Sequence, residues 1–247
     1  MASWIDFLRG MAIPGLDTNV TEAEAEAAIE RGRKSLAAME AAEKLEAPYM
    51  AKALYTRLSR DDVKTKTFET FAATSAETLA AKARVQAWNP ALHTFGLFLY
   101  GPPGTGKTHL MKAVLVRHAS PDYPCAFESV SSIMDRIKAT YDASENARHR
   151  VIEDLATPKL LALDDFGAER STEWAQEQFL TLLERRMRAG RTVFMTSNLT
   201  REEIMARYQA RIVDRLMEVF VFVKVDGPSH RRTIYAANAA ALGGNIK

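Results

Sequence analysis

A short apolar run, FGLFLY at residues 95–100, ends in Gly101-Pro102-Pro103-Gly104-Thr105-Gly106-Lys107-Thr108, and the helical pattern HLMKAVLVRH follows at once. The spacing G-x-x-x-x-G-K-[ST] between a buried strand and a helix is that of a loop built to wrap an anion. Glycines let the backbone close round the charge, while free N–H groups and the start of the helix face it. The cradle therefore spans Gly101, Pro102, Pro103, Gly104, Thr105, Gly106, Lys107, Thr108 and His109. Lys107 is placed to reach the terminal phosphates of a nucleoside triphosphate, and Thr108 to offer its hydroxyl to Mg2+.

Such a loop needs an acid at the end of a neighbouring strand. KLLALDDFGAE (159–169) supplies two. Asp164 is expected to face the metal and Asp165 to activate the attacking water. Paired carboxylates ending an apolar strand are costly unless a cation sits beside them, so the two features reinforce each other. Asp165 is one methylene shorter than glutamate, which implies modest hydrolysis, as in a loader or switch.

Four further apolar runs complete the pattern: PCAFESV (124–130), KLLALDD (159–165), TVFMTSN (192–198) and VFVFVKV (219–225). Short runs alternating with helical stretches predict an α/β fold with a five-stranded, largely parallel sheet flanked by helices. Helix starts are legible at Thr200-x-x-Glu203 and Thr74-x-x-Glu77, the latter helix stopping before Asn89-Pro90. Residues 61–247 are read as this domain.

Residues 1–60 differ. Thr21-x-x-Glu24 opens an Ala/Glu-rich helix near 21–45, whose thin apolar stripe (Ile29, Leu36, Met39) needs a partner surface, on its own domain or another protein. The start, MASWIDFLRGM, lacks the basic and apolar segments of a signal peptide, and no apolar run is long enough to span a membrane. A single cysteine, Cys125, excludes an intrachain disulfide and fits a reducing compartment. A cytoplasmic protein is expected.

Net charge is +2, too small to announce a nucleic-acid partner. Yet residues 185–215 hold eight arginines and no lysine, a bias suited to forked phosphate contacts or simply to a solvated surface. No N-K-x-D motif for guanine is present. Asn198, ending an apolar strand, would lie by the terminal phosphate if that strand neighbours both the Gly101 and Asp164 strands. Arg207, Arg211 and Arg215 recur every four residues, on one helical face. A guanidinium directed at a neighbouring subunit's phosphate would stabilise charge there. Arg231, in Gly227-Pro-Ser229-His-Arg231-Arg232, can reach the nucleotide of its own subunit.

Taken together, GPPGTGKTHL, LLALDDFG, FMTSNL, RIVDRL and GPSHRR resemble the AAA+ core of the DnaC-type replicative helicase loaders and their relatives, the IstB-type transposition helpers. The likeness runs from about Thr67 to Thr233. It implies ATP at subunit junctions, Asn198 as sensor 1, Arg215 as first and Arg211 as second candidate for the arginine finger, and Arg231 as sensor 2. KTFETF (66–71) is similar to the family's T-F-x-x-F segment, which would place Phe68 and Phe71 near the adenine; plain core packing is the alternative. His230 departs from the family, which often has an aromatic there, and residues 1–60 match no family motif.

The resemblance implies an ATPase, slow and stimulated by DNA or partner, that binds a hexameric replicative DNA helicase through residues 1–60. It would assemble as a homo-oligomer and place the helicase on single-stranded DNA. Arg136, Lys138 and the arginines near 185–191 are candidate phosphate contacts. The alternatives are an IstB-type helper acting on duplex DNA for a transposase, and an adaptor that binds ATP with little turnover.

Overall fold

The computed structural model describes residues 22–140, 145–169 and 172–241. Contacts divide the chain into two compact units that meet between Pro48 and Tyr49. The first unit is described by most of helix α1 (Glu22–Thr56), on which Leu36 and Met39 are 58% and 67% exposed. The expected N-cap, Thr21, lies outside the described residues. The helix was expected to end near residue 45, but it continues through Pro48. Proline lacks the N–H of an interior helical residue and normally favours a stop. Tertiary contacts within the second unit carry it on: Tyr49, Ala53 and Tyr55 pack against that unit's core, Thr56 is buried, and the Lys52 ammonium donates to the Val116 carbonyl.

The second unit continues with α2 (Arg60–Thr65), α3 (Ala76–Ala87), β1 (Gly96–Tyr100), α4 (Lys107–His118), β2 (Cys125–Ser129), α5 (Val130–Lys138) and α6 (Glu145–Ala156). Then come β3 (Leu160–Phe166), α7 (Glu173–Arg188), β4 (Thr192–Ser197), α8 (Arg201–Arg207), α9 (Ala210–Val219), β5 (Phe220–Lys224) and α10 (His230–Ala241). The five strands form one parallel sheet in the order β2-β3-β4-β1-β5. β4 thus lies between β1 and β3, the condition under which Asn198 falls between the phosphate loop and the paired carboxylates.

Strand side chains alternate between two apolar clusters. Phe98, Leu161, Leu163, Val193 and Met195 belong to one; Leu97, Leu99, Leu160, Ala162 and Phe194 belong to the other. Both faces are covered, which is why the strands read as continuous apolar runs. The capping box at Thr200 and Glu203 forms as expected. At α3 the cap is Ser75, with Thr78 closing the box, one residue later than the expected Thr74–Glu77 pair. Ser75 Oγ also donates to the Asp226 carbonyl at 3.2 Å, and that long-range bond sets the register.

The arginine-rich segment is largely structural. Arg186 is 0% exposed, and its guanidinium donates to the carbonyls of Leu155 (2.9 Å), Ala156 (3.3 Å), Lys159 (3.3 Å) and Thr192 (2.6 Å). It joins the end of α6 to the starts of β3 and β4, and burial pushes its pKa down to about 9. Arg191 donates to Ala156 O, while Arg185 and Arg188 pair with Glu153 and Glu184. Arg136 is likewise committed: with Arg57 it holds Glu128 and Asp154 in a four-membered network at 2.7–3.1 Å. Arg136 and the arginines near 185–191 were candidate phosphate contacts; Arg136, Arg186 and Arg191 are engaged within the chain, whereas the Arg188 side chain is 79% exposed. Arg186→Met should leave several buried carbonyls without a donor and lower stability by about 3 kcal/mol, read from chemical denaturation.

Candidate functional site

The phosphate loop closes because two glycines let other side chains come close. Gly104 (φ 82°) and Gly106 (φ 95°) have left-handed backbones. A Cβ on Gly104 would stand 2.1 Å from Ser229 Oγ, and one on Gly106 would stand 2.5 Å from the Phe71 ring. Gly104 O also accepts the His230 N–H at 2.9 Å, so the start of α10 sits on the loop. Lys107 is buried and folds back, its ammonium donating to Gly101 O and Pro102 O at 2.7 Å each. Thr105 donates to Pro102 O at 3.0 Å, bracing the loop from behind.

The carboxylates stand on a β-bulge. Leu163 pairs with Met195 and Phe166 with Ser197, so Asp164 and Asp165 together oppose Thr196. Such a bulge re-aims side chains at a strand end. Asp165 takes the left-handed conformation there (φ 58°), which a non-glycine residue holds at a cost of about 1 kcal/mol or more. Thr196 supports it. Its buried hydroxyl accepts the Asp165 N–H at 3.1 Å and donates to Asp164 Oδ1. Asn198 Nδ2 donates to Asp165 Oδ1 at 3.1 Å. Asp164 Oδ1 also accepts the Thr108 hydroxyl at 3.0 Å, joining α4 to β3.

Asp164 is 8% exposed. Burial pushes its carboxyl above the usual range and the like charge of Asp165 acts the same way, against the hydroxyl donors Thr196 and Thr108. An all-oxygen pair of hydroxyl and buried carboxylate suits a hard divalent cation, so Thr108 and Asp164 fit Mg2+.

A cavity of about 550 Å³ opens at the carboxyl ends of the strands. Pro103, Gly104, Gly106, Lys107, Thr108, His109, Asp164, Asp165, Asn198 and Arg231 all line it, with Thr65, Lys66, Thr70, Phe71 and Ala72 on one flank. Phe71 meets His109 and His230 edge to face, centroids 5.3 and 6.3 Å away. Phe68 was expected beside it and does not line the cavity. It is buried in the core with the Arg117 guanidinium 4.8 Å over its ring, the core-packing alternative. Arg211 and Arg215 are also away from this cavity, on α9, in ion pairs with Glu184 at 3.4 and 3.8 Å; Arg215 also pairs with Glu218.

Sequence reading missed Thr196 and Lys112. Thr196 is a polar residue inside an otherwise apolar strand, a signal that was available. Lys112 lies one turn beyond Thr108 on α4, lines the cavity, and pairs with Asp62 at 2.9 Å.

Burial pushes Lys107 down to about 8, although Asp165 and Asp164 act the other way. A bound polyphosphate favours the ammonium and raises that pKa, so binding takes up a proton above pH 8 and none well below it. Affinity for ATP should be flat from pH 6.5 to 7.5. Above pH 8 it should fall by up to about tenfold per pH unit, as measured by calorimetry.

The sequence pattern of the family described as "IstB-like ATP binding protein" matches residues 27–236. The chain is 26% identical over 149 residues to the replicative helicase loader DnaI of Bacillus subtilis (strain 168), covering 55% of this chain and 47% of that protein. It is 27% identical over 116 residues to the replicative helicase loader DnaC of Escherichia coli (strain K12), covering 47% of each. The chain spans about half the length of these curated relatives. In fold it resembles the crystal structure of the DnaC helicase loader, with TM-score 0.56 and 19% identity over 68% of this chain and 100% of that one. With its phosphate loop, five-stranded parallel sheet and AAA+ architecture, the chain belongs to the IstB-like ATP-binding protein family.

Proposed function

We propose that this chain is an ATPase that loads a hexameric replicative DNA helicase onto single-stranded DNA, working as a homo-oligomer with ATP at its subunit junctions. The observation that supports this best is the convergence of Lys107, Thr108, Asp164, Asp165, Asn198 and Arg231 on one cavity. It occurs in a chain whose relatives DnaI and DnaC are named replicative helicase loaders.

In this reading Lys107 leaves the Gly101 and Pro102 carbonyls for the terminal phosphates. Thr108 and Asp164 hold Mg2+, which when bound neutralises charge on the phosphate oxygens. Asp165, aimed by the Asn198 amide, accepts the proton of the attacking water. Arg231 stabilises the phosphoryl group from the same chain, and Arg215 or Arg211 does so from a neighbour. Thr65, Lys66, Thr70, Phe71 and Ala72 flank the base. The short carboxylate of Asp165 keeps turnover modest, which suits a cycle of assembly and release. Partner binding is assigned to residues 1–60.

The family description also favours a second reading, an IstB-type helper of a transposase, which predicts preference for duplex over single-stranded DNA.

Native mass spectrometry of the full chain with the replicative helicase of its own source, with and without ATP, should show a defined complex. A chain starting at Tyr49, where the second unit begins, should lose it. No complex under either condition would sink the loader reading. Lys107→Ala should abolish ATP binding in an equilibrium titration. Arg215→Ala should preserve binding but lower hydrolysis by the assembled protein on the order of 10³-fold, the scale of an arginine finger.

A further inference from the structure

The Asp164–Asp165 bulge and the arginines of α9 are joined by a buried strap of side chains. Beyond Asp165 the chain turns, with Ala168 N–H donating to Asp165 O at 3.1 Å. Glu169 then enters the core at 7% exposure. Its Oε2 accepts the Gly167 N–H at 2.8 Å, and its Oε1 accepts the Tyr208 hydroxyl. Tyr208 is equally buried, caps the end of α8, and stacks on Phe166 with centroids 4.5 Å apart at 20°. Arg207 Nη2 donates to Glu169 O at 2.7 Å, so both residues at this corner hold the same glutamate.

The next residue starts α9. Gln209, its N-cap, donates its N–H to Gln176 Oε1 on α7 at 3.1 Å. Two turns of helix then carry Arg211 and Arg215, which meet Glu184 on the same α7. Phe166, Glu169 and Tyr208 do not line the nucleotide cavity, so contact with nucleotide does not account for them. A simple packing role would be met by an apolar side chain at 169. A buried carboxylate with donors on two elements is costly to separate from either of them, and it therefore carries displacement from one to the other.

We propose that Glu169 and Tyr208 are positioning residues that pass the setting of the Asp164–Asp165 turn to α9. Nucleotide in the cavity then orients Arg211 and Arg215 for a neighbouring chain. This rests on the ATP site and arginine roles given under Proposed function. The device has two parts: a turn whose left-handed Asp165 is held by Thr196 and Asn198, and a rigid corner that follows it. Because Glu169 grips Gly167 N–H and Tyr208 together, a shift of the turn moves the start of α9.

Hydrogen exchange of the full chain tests this, with and without a non-hydrolysable ATP analogue and Mg2+. In the wild type the analogue should slow exchange in α4 and also in α9, the latter by about fivefold or more, the lower end for coupled sites. Tyr208→Phe removes the hydroxyl and keeps the ring stack. It should retain protection of α4 and lose that of α9. Glu169→Gln, which keeps an acceptor for Gly167, should weaken α9 protection in the same direction. Protection of α9 that is absent in the wild type, or unchanged in both variants, overturns the strap. Hydrolysis separates the underlying reading: Arg215→Ala and Arg211→Ala that both keep assembly-dependent turnover remove the finger assignment, while the exchange result still decides the strap.

Discussion

The Asp164 carboxylate is the point on which the site depends. Its Oδ1 accepts hydroxyl donors from α4 and β4, Thr108 and Thr196, while its own backbone belongs to β3. Three elements meet at one oxygen. Burial makes the negative charge unfavourable, so the arrangement favours a cation there more than it stabilises the protein without one. The bulge follows from the same demand. Two carboxylates cannot both leave a regular strand on one side, since successive side chains alternate. Placing Asp164 and Asp165 together opposite Thr196 breaks that alternation.

Arginine usage shows how composition misleads when read alone. Eight arginines in 31 residues suggested either forked phosphate contacts or a solvated surface. In the structure Arg186 is a buried clamp on four carbonyls, Arg207 holds the Glu169 backbone, and Arg201 lies 5.6 Å over the Phe222 ring. The forked, planar guanidinium that suits phosphate equally suits several carbonyls at once. Arginine was preferred to lysine here for geometry, and much of that geometry is internal.

Local signals were the legible ones. Each strand sits within a residue or two of its apolar run, and Pro103, Gly104, Gly106, Lys107, Thr108 and His109 of the loop line one cavity with both carboxylates, Asn198 and Arg231, while Gly101, Pro102 and Thr105 do not line it. What escaped depended on contacts distant in sequence. The continuation of α1 past Pro48 is carried by packing of Tyr49, Ala53 and Tyr55. The one-residue shift of the α3 cap follows from Ser75 reaching Asp226. Phe68 and Phe71 look alike in KTFETF, yet only Phe71 reaches the cavity, because Gly106 leaves room for its ring. Sequence spacing cannot distinguish two aromatic residues three positions apart in a turn until the opposite wall is known.

The two arginine sets stand in different places in the chain. Arg231 lines the cavity because α10 begins on the phosphate loop, tied by the Gly104 carbonyl. Arg211 and Arg215 lie on a different helix, against Glu184 of α7. Arg211 is 75% exposed at its side chain and Arg215 30% exposed, so their ion pairs with Glu184 are partly solvated and weakly held. A guanidinium in such a pair is accessible to a stronger anion. Desolvated phosphate oxygens at a subunit junction attract it far more than a carboxylate in water does. In the proposed loader the same side chains would rest on α7 in a lone chain and turn to a neighbour's nucleotide on assembly, Arg211 leaving Glu184 and Arg215 leaving both Glu184 and Glu218.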